Sequence, residues 1–191
     1  NIIKFGNFTL SSGKKSSYYI DLRLVPSFPH QFRKMIKNLQ KLIIKKIGLD
    51  NFDSLVSIPT GGLIIGSALA IETVKPLIYV RNKPKDYGTA KSIEGKILSD
   101  MQVIVIDDIA TTGISVLNGI KQLKAEGLSV SNACVIINRL EGADKILNSM
   151  GVTLHQLTDI LEITEILFQE KLIGEDILEK IKKQVSQNQA S

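Results

Sequence analysis

Short apolar runs alternate along the chain with longer segments of helical periodicity. Runs of β-prone residues bounded by polar or turn residues predict strands at 55–58, 77–80, 103–106, 130–137 and 153–157. Apolar residues that recur every three or four positions predict helices at about 28–47, 63–73, 116–126, 159–168 and 175–185. Strands and helices that alternate in this way indicate an α/β fold with a mostly parallel central sheet flanked by helices.

Two segments depart from this alternation. Residues 81–95 form the longest stretch without an apolar pattern, and they contain Pro84, Gly88 and Gly95. A charged loop of this length inside a compact domain is typical of a mobile lid over a site. The last residues, 185–191, are polar and lack periodicity, so we expect disorder there.

Length and charge bound the class of protein. A chain of 191 residues suits one domain spanning 1–191. The net charge of +5 is typical of a mildly basic soluble protein, and it also favours anionic substrates. The chain has no Trp, only 5% aromatic residues and no dense Lys/Arg run, so we expect no nucleic-acid partner.

The few cysteine and histidine residues narrow the chemistry further. Cys134 is the single cysteine, which excludes a disulfide within the chain and a cysteine-rich zinc site, and it favours a reducing, cytoplasmic setting. His30 and His155 do not have the spacing of metal ligands. Residues 54–71 carry no charge, but a Pro-Thr-Gly-Gly turn at 59–62 interrupts them, which predicts a strand, a turn and a helix rather than a membrane span. No signal peptide is apparent, and we expect no membrane partner.

The run 103–115 carries the most specific chemical signal. Four apolar residues precede Asp107 and Asp108, and small, hydroxylated residues follow them. Ligands of open α/β sheets bind beyond the carboxyl ends of the strands, and a Thr/Gly/Ser turn before a helix can present N–H groups to a phosphate. Carboxylates would repel a bound phosphate unless they face sugar hydroxyls or Mg²⁺. A phosphorylated ribose fits both parts of this run, because its hydroxyls can bind the carboxylates while its phosphate binds the turn. A metal-binding aspartate pair and a turn without function remain as alternatives.

This run resembles the phosphoribosyl pyrophosphate (PRPP) motif of type I phosphoribosyltransferases. Three further stretches, 5–23, 81–95 and 138–142, resemble the N-terminal signature, the mobile loop and the orotate-binding strand end of orotate phosphoribosyltransferases. The resemblance implies a type I phosphoribosyltransferase-like fold, with a small N-terminal hood or hairpin at about 1–25, a lid at about 81–95 and the PRPP motif at 103–115. It also implies Mg²⁺-dependent transfer of the 5-phosphoribosyl group from PRPP to orotate, in pyrimidine biosynthesis, by a homodimer whose lid is shared across the interface.

The resemblance assigns roles to individual residues. The implied catalytic residues are Lys85, Asp107 and Asp108. The implied PRPP contacts are Arg81, Lys85, Tyr87, Asp107, Asp108, Ile109, Ala110, Thr111, Thr112, Gly113, Ile114 and Ser115. The implied pyrophosphate turn consists of Thr60, Gly61 and Gly62, and the implied orotate contacts are Thr111 and Arg139. The Mg²⁺ ion is carried by PRPP rather than by direct protein ligands.

Several readings stay open at this level. Arg139 could instead be a surface arginine paired with Glu141, and Tyr18, Tyr19 and Ile20 could flank the base or pack in the core. The family pattern departs at Ser11, Gly61, Asn82 and Tyr87, where many or some relatives have lysine or histidine. A phosphoribosyltransferase for another base and a non-catalytic PRPP-sensing regulator are the rival functions. The N-terminal signature argues against the first rival, and the intact acidic pair argues against the second.

Overall fold

The computed structural model describes residues 2–9, 13, 15–81 and 92–190. The strands are β1 (Ile3–Thr9), β2 (Lys15–Ile20), β3 (Ser54–Ser57), β4 (Leu77–Val80), β5 (Ile93–Glu94), β6 (Gln102–Ala110), β7 (Ser129–Asn138) and β8 (Thr153–Asp159). The α-helices are α1 (Pro29–Lys46), α2 (Gly61–Thr73), α3 (Ile114–Ala125), α4 (Ala143–Asn148), α5 (Ile160–Gln169) and α6 (Glu175–Ala190), and two 3₁₀ helices lie at Leu22–Ser27 and Leu49–Asn51. Each predicted strand and helix is therefore present, with bounds shifted by a few residues.

Six of these strands form one sheet in the order β5-β4-β3-β6-β7-β8. The pairings β4-β3, β3-β6, β6-β7 and β7-β8 are parallel, and β5 is antiparallel to β4. The prediction of a mostly parallel sheet is confirmed. The carboxyl ends of β3, β6 and β7 therefore meet at one edge of the sheet.

Helices cover both faces of the sheet because successive apolar side chains of its strands point to opposite faces. Ile104 and Ile106 of β6 pack in one core cluster, with Leu39 of α1 and Leu69 of α2. Val103 and Val105 of the same strand pack in a second cluster, with side chains of α3 and α4. The central strand is buried on both faces, as its continuous apolar run predicts.

The N-terminal segment forms the expected hairpin. β1 pairs with β2 in an antiparallel ladder, and the hairpin forms a separate two-stranded sheet. The carboxamide of Gln184 in α6 accepts hydrogen bonds from the amide and the hydroxyl of Ser17, at 3.0 and 2.7 Å. The end of the chain thus fastens the hairpin to the domain.

The expectation of disorder at 185–191 is wrong for most of that segment. α6 continues to Ala190, and Val185 in its last turns is buried. The helix persists because Ile181 and Val185 pack into the core while Gln184 binds the hairpin. The polar composition of 185–191 gave no sign of a helix, because only one face of α6 is apolar.

Three smaller differences concern element bounds. β6 extends past the predicted strand to Ala110, because Asp107 and Ile109 keep their pairing with β7. The expected loop 81–95 includes the short strand β5 near its end. The six-residue helix α4 is too short to produce a recognisable periodicity.

The uncharged stretch 54–71 forms β3, the turn and most of α2, as predicted. Within the described part of the chain, no helix combines the length and the apolar character needed to cross a membrane.

Candidate active site

The acidic pair lies in the last part of β6, at the carboxyl edge of the sheet. Asp107 is 7% exposed, and Asp108 is half-buried. The amide of Asp108 donates to Oδ1 of Asp107 at 2.9 Å, and the amide of Ile109 donates to Oδ1 of Asp108 at 3.0 Å. Each carboxylate is therefore oriented by the backbone of the next residue.

The environment of Asp107 disfavours its charged form. Burial raises the pKa of the Asp107 carboxyl well above its ordinary value, and the neighbouring Asp108 carboxylate raises it further. Hydrogen bonds from the backbone N–H groups of Asp108 and Gly62 oppose this shift without reversing it. Hydroxyl donors or a cation beside Asp107 would stabilise its ionised form, so this carboxyl can bind either of them.

The turn between β3 and α2 packs directly against this pair. Ile58 donates a backbone hydrogen bond to Ile106 at 3.1 Å, and α2 begins at Gly61. A Cβ atom on Gly61 would overlap the Asp108 carboxylate, and one on Gly62 would lie 2.6 Å from the carbonyl oxygen of Ile106. Gly62 is needed because the turn approaches the backbone of β6 more closely than a side chain permits, whereas a side chain at Gly61 would require only the Asp108 carboxylate to move. The structure therefore brings the predicted pyrophosphate turn and the acidic pair together.

Gly62→Ala is expected to lower turnover by at least about tenfold and to destabilise the fold by about 1–3 kcal/mol, because its Cβ would press on the backbone of β6. Steady-state rates and thermal unfolding measure the two effects. Gly174→Ala is the matched control, since its Cβ meets only the exposed side chain of Asp176. Wild-type turnover in Gly62→Ala would contradict the close approach.

The Thr/Gly/Ser turn follows β6 and leads into α3. Gly113 adopts a left-handed conformation with φ of 79°, and a Cβ atom there would lie 3.0 Å from Cα of Ala143. Thr111 and Thr112 are half-buried, whereas Ser115 is exposed at the start of the helix. No described side chain caps α3. Its first N–H groups can therefore bind an anion.

A cavity of about 230 Å³ joins three of the predicted site segments. Pro59 comes from the turn, Arg81 from the end of β4 and Ser115 from the start of α3. Arg81 pairs with Glu94 of β5 at 2.7 Å, and both side chains remain about one-third exposed. A partly exposed guanidinium thus lies beside the turn and the helix start.

Arg139 follows β7, one strand away from the acidic pair. Its amide donates to the carbonyl of Ala110 at 2.8 Å, which places it beside Thr111. Its side chain is buried: Nε donates to Glu141 at 2.8 Å and Nη2 donates to Ser16 at 3.0 Å. The alternative of a surface arginine is therefore wrong, although the pairing with Glu141 is present.

Tyr18 of the hairpin lies against this arginine. The guanidinium carbon of Arg139 is 4.3 Å from the centre of the Tyr18 ring, within the range of a cation–π contact. Tyr18 is fully buried, and its hydroxyl has no hydrogen-bond partner among the described residues. Burial raises the pKa of Tyr18 to about 12. Tyr18 therefore belongs to the core and also covers Arg139.

Not every predicted residue can be placed. Lys85 and Tyr87 lie outside the described residues, as do Ser11 and Asn82. Sequence reasoning did not identify Ser16 and Gln184 as neighbours of Arg139. Ser16 falls within the N-terminal signature, but nothing local marks Gln184, which binds Ser16 from 168 positions further along the chain.

Comparison with known proteins places this geometry in a family. A model of the phosphoribosyl transferase domain matches residues 30–165. The orotate phosphoribosyltransferase of Cenarchaeum symbiosum is 48% identical over 179 residues, covering 94% of this chain and 90% of that protein. The one from Staphylothermus marinus is 38% identical and covers 100% of this chain and 91% of that protein.

Solved structures agree with the sequence matches. The crystal structure of orotate phosphoribosyltransferase from Aeropyrum pernix superposes with a TM-score of 0.76 at 33% identity, covering 87% of this chain and 93% of that one. Leishmania donovani UMP synthase gives a TM-score of 0.85 at 30% identity, but this chain spans only 40% of that chain.

The fold, the acidic strand end and the family match together define a phosphoribosyltransferase domain of type I. The relatives match nearly the whole chain rather than this domain alone. The chain belongs to the orotate phosphoribosyltransferase family, whose members are pentosyltransferases.

Proposed function

We propose that the chain transfers the 5-phosphoribosyl group of PRPP to orotate, which yields orotidine 5′-monophosphate and pyrophosphate in pyrimidine biosynthesis. One observation carries the proposal: the acidic pair, the glycine turn and the uncapped start of α3 meet at one sheet edge, and Arg139 lies one strand away. The chain would act as one phosphoribosyltransferase domain over 1–191.

PRPP would lie along this edge. The ribose hydroxyls would donate to Asp107 and Asp108, and this would offset the cost of ionising the buried carboxyl. The 5-phosphate would bind the turn from Thr111 to Ser115 and the first N–H groups of α3. The pyrophosphate would face Arg81 and the turn Thr60–Gly62. Ile109, Ala110, Thr112, Gly113 and Ile114 would shape this cradle mainly through their backbone.

Mg²⁺ would arrive with PRPP as part of the substrate. Magnesium keeps several waters and binds through one or two carboxylates together with substrate phosphates. The Asp107 carboxylate accepts from the backbone N–H groups of Asp108 and Gly62, and that of Asp108 accepts from Ile109, so both carboxylates already have protein donors. When bound, the ion stabilises the negative charge of the departing pyrophosphate.

Orotate would bind between Thr111 and Arg139. Among the described residues, Glu141 accepts from Nε of Arg139 and Ser16 accepts from Nη2, so these two bonds leave the N–H groups of Nη1 unused. A guanidinium held in this way is a strong partner for the orotate carboxylate. The buried position beneath the hairpin strengthens such a pair, since water does not compete for it.

The reaction forms a bond between orotate N1 and ribose C1 and breaks the bond from C1 to the pyrophosphate oxygen. It needs no protein nucleophile. Lys85, Tyr87 and Arg81 of the lid would stabilise the leaving charge, and Lys85 would place a proton near the pyrophosphate oxygen. A closed lid would exclude the water that otherwise attacks C1.

The direct test is consumption of orotate in the presence of PRPP and Mg²⁺, followed spectrophotometrically. Hypoxanthine, adenine and uracil serve as competing bases. Consumption of another base in preference to orotate would favour a different phosphoribosyltransferase, and PRPP binding without any turnover would favour a regulator.

The lone, buried Cys134 supports a reducing, cytoplasmic setting for this reaction.

We further propose a homodimer in which the lid of one subunit completes the site of the other. Two-fold dimers are the commonest closed assembly.

Lys85→Ala and the double variant Asp107→Asn/Asp108→Asn should each be nearly inactive. After equal mixing and subunit exchange, activity should return to about a quarter of the wild-type level, because half the dimers are hybrids with one intact site. Proven exchange without recovery would show that the lid acts within its own subunit.

A further inference from the structure

A groove of about 530 Å³ lies between the N-terminal hairpin and α6. It is lined by Asn7, Lys15, Ser16, Ser17, Lys180, Lys183, Gln184 and Gln187, and we call it the lysine groove. Its four residues from α6 stand at positions i, i+3, i+4 and i+7, so they form one continuous face of that helix. None of the residues assigned above to PRPP or orotate belongs to its lining.

The described lining of the lysine groove is basic, and none of its eight residues carries a carboxylate. The ammonium of Lys15 donates to the hydroxyl of Thr9 at 2.8 Å, and that of Lys180 donates to the carboxamide of Asn7 at 3.5 Å, so both partners are neutral. The ammonium of Lys183 makes no hydrogen bond or ion pair with a described residue, and only its backbone carbonyl accepts a side-chain hydrogen bond, from Ser186. Lys182, on another face of α6, pairs instead with Glu179 at 3.5 Å. Like charges collected without counterions repel one another, and a bound anion would relieve this repulsion.

The floor of the lysine groove is connected to Arg139. Gln184 holds Ser17 through its carboxamide oxygen and donates from Nε2 to the hydroxyl of Ser16 at 3.3 Å. The same Ser16 hydroxyl accepts the hydrogen bond from Arg139 Nη2 at 3.0 Å. A ligand that moves Gln184 or the hairpin therefore changes the support of the arginine.

The size and chemistry of the groove define the ligand class. Lysine ammonium groups bind phosphates as point charges, with serine hydroxyls and glutamine amides as further donors. The volume lies within the range of about 300–1,000 Å³ typical of small-molecule pockets, so it exceeds the need of a single phosphate ion. A phosphate attached to a nucleoside-sized body fits both properties.

We propose that the lysine groove is a second anion site, which binds a phosphate-bearing molecule of nucleotide size and alters orotate affinity through Gln184 and Ser16. The effect on orotate rests on the proposed function. The binding itself does not, so the two can fail separately.

The binding test is calorimetric titration of UMP and AMP into the full-length protein with saturating PRPP and Mg²⁺ and without orotate. Saturating PRPP occupies the phosphate turn at Thr111–Ser115 and prevents binding there. Uridine and adenosine serve as uncharged controls. At least one nucleotide should bind while neither nucleoside does, and the double variant Lys180→Ala/Lys183→Ala should weaken its binding at least tenfold.

Lys182→Ala is the matched control, because it removes a lysine from the same helix but outside the lysine groove. It should change nucleotide affinity by less than twofold. No nucleotide binding in the presence of PRPP, or an equal loss in the control and the double variant, would overturn the site.

The coupling test uses orotate kinetics in the same preparations. The bound nucleotide should change the KM for orotate at least threefold in the wild type, and this response should disappear in Lys180→Ala/Lys183→Ala. Nucleotide binding without any change in the KM would refute the link to Arg139. If orotate is not consumed at all, the proposed function fails, while the titration still decides the anion site.

Discussion

Replacing Asp107 or Asp108 with asparagine should lower turnover by at least about tenfold, a loss of about 1.4 kcal/mol or more of transition-state stabilisation. Asparagine keeps the shape and one acceptor oxygen, so the hydrogen bonds from the next backbone amide can persist. It loses the charge that, in the proposed reaction, would hold the ribose hydroxyls and ease positive charge on the ribose. Steady-state rates with orotate and PRPP measure the effect.

Asp107→Asn should have the opposite effect on stability. The folded state holds the pKa of Asp107 above its value in the unfolded chain, so ionisation at higher pH costs the wild type stability. The free energy of unfolding of the variant should therefore exceed that of the wild type at neutral pH. The difference should shrink as the pH falls below the raised pKa and should vanish below about 3, where the carboxyl is protonated in both the folded and the unfolded state.

Exposed Asp50 provides the control, since Asp50→Asn removes a carboxylate far from the acidic strand end and should leave turnover unchanged. Wild-type rates in both acidic-pair variants would refute the ribose-holding role. Equal stability of Asp107→Asn and the wild type across pH would instead contradict the raised pKa.

Arg139→Ala should raise the KM for orotate by at least about tenfold, because a charge-assisted hydrogen bond of this kind contributes about 1.5–3 kcal/mol. The KM for PRPP should change far less, since Arg139 lies one strand away from the acidic pair. Initial rates at varied orotate and varied PRPP separate the two constants.

The burial of Arg139 requires a second variant. Arg139→Ala leaves the buried Glu141 without its partner, which costs about 3–5 kcal/mol of stability. Arg139→Lys retains a positive charge towards Glu141 but loses the planar fork that contacts Ser16 and would, in the proposed function, contact orotate. It should fold and still raise the KM for orotate. Equal effects of Arg139→Lys on both substrates, or none on orotate, would assign this arginine to structure alone.

The sequence by itself determined the parts of the site that are contiguous along the chain. The run from Val103 to Ser115 specifies a buried strand, two carboxylates and a small-residue turn in direct succession. Hydrophobic alternation and the preferences of Gly and Thr act over a few residues, so this unit was predictable before its surroundings were known. The glycine turn at 59–62 was predictable for the same reason.

Only the tertiary structure decided how these units meet. Gly62 lies against the backbone of β6 because the parallel pairing of β3 and β6 brings the turns that follow these two strands to the same edge of the sheet. Along the chain, 44 positions separate Gly62 from Ile106. The raised pKa of Asp107 follows from the same packing, since it depends on how completely other segments exclude water.

No local sequence pattern could predict the surroundings of Arg139. The arginine is covered by Tyr18 from one end of the chain and supported, through Ser16, by Gln184 from the other. Contacts between such distant segments depend on the path of the whole backbone, and a single polar residue on a helix face does not reveal its partner. The sequence therefore indicated which chemical groups are present, whereas the packing of remote segments determined their burial, charge state and support.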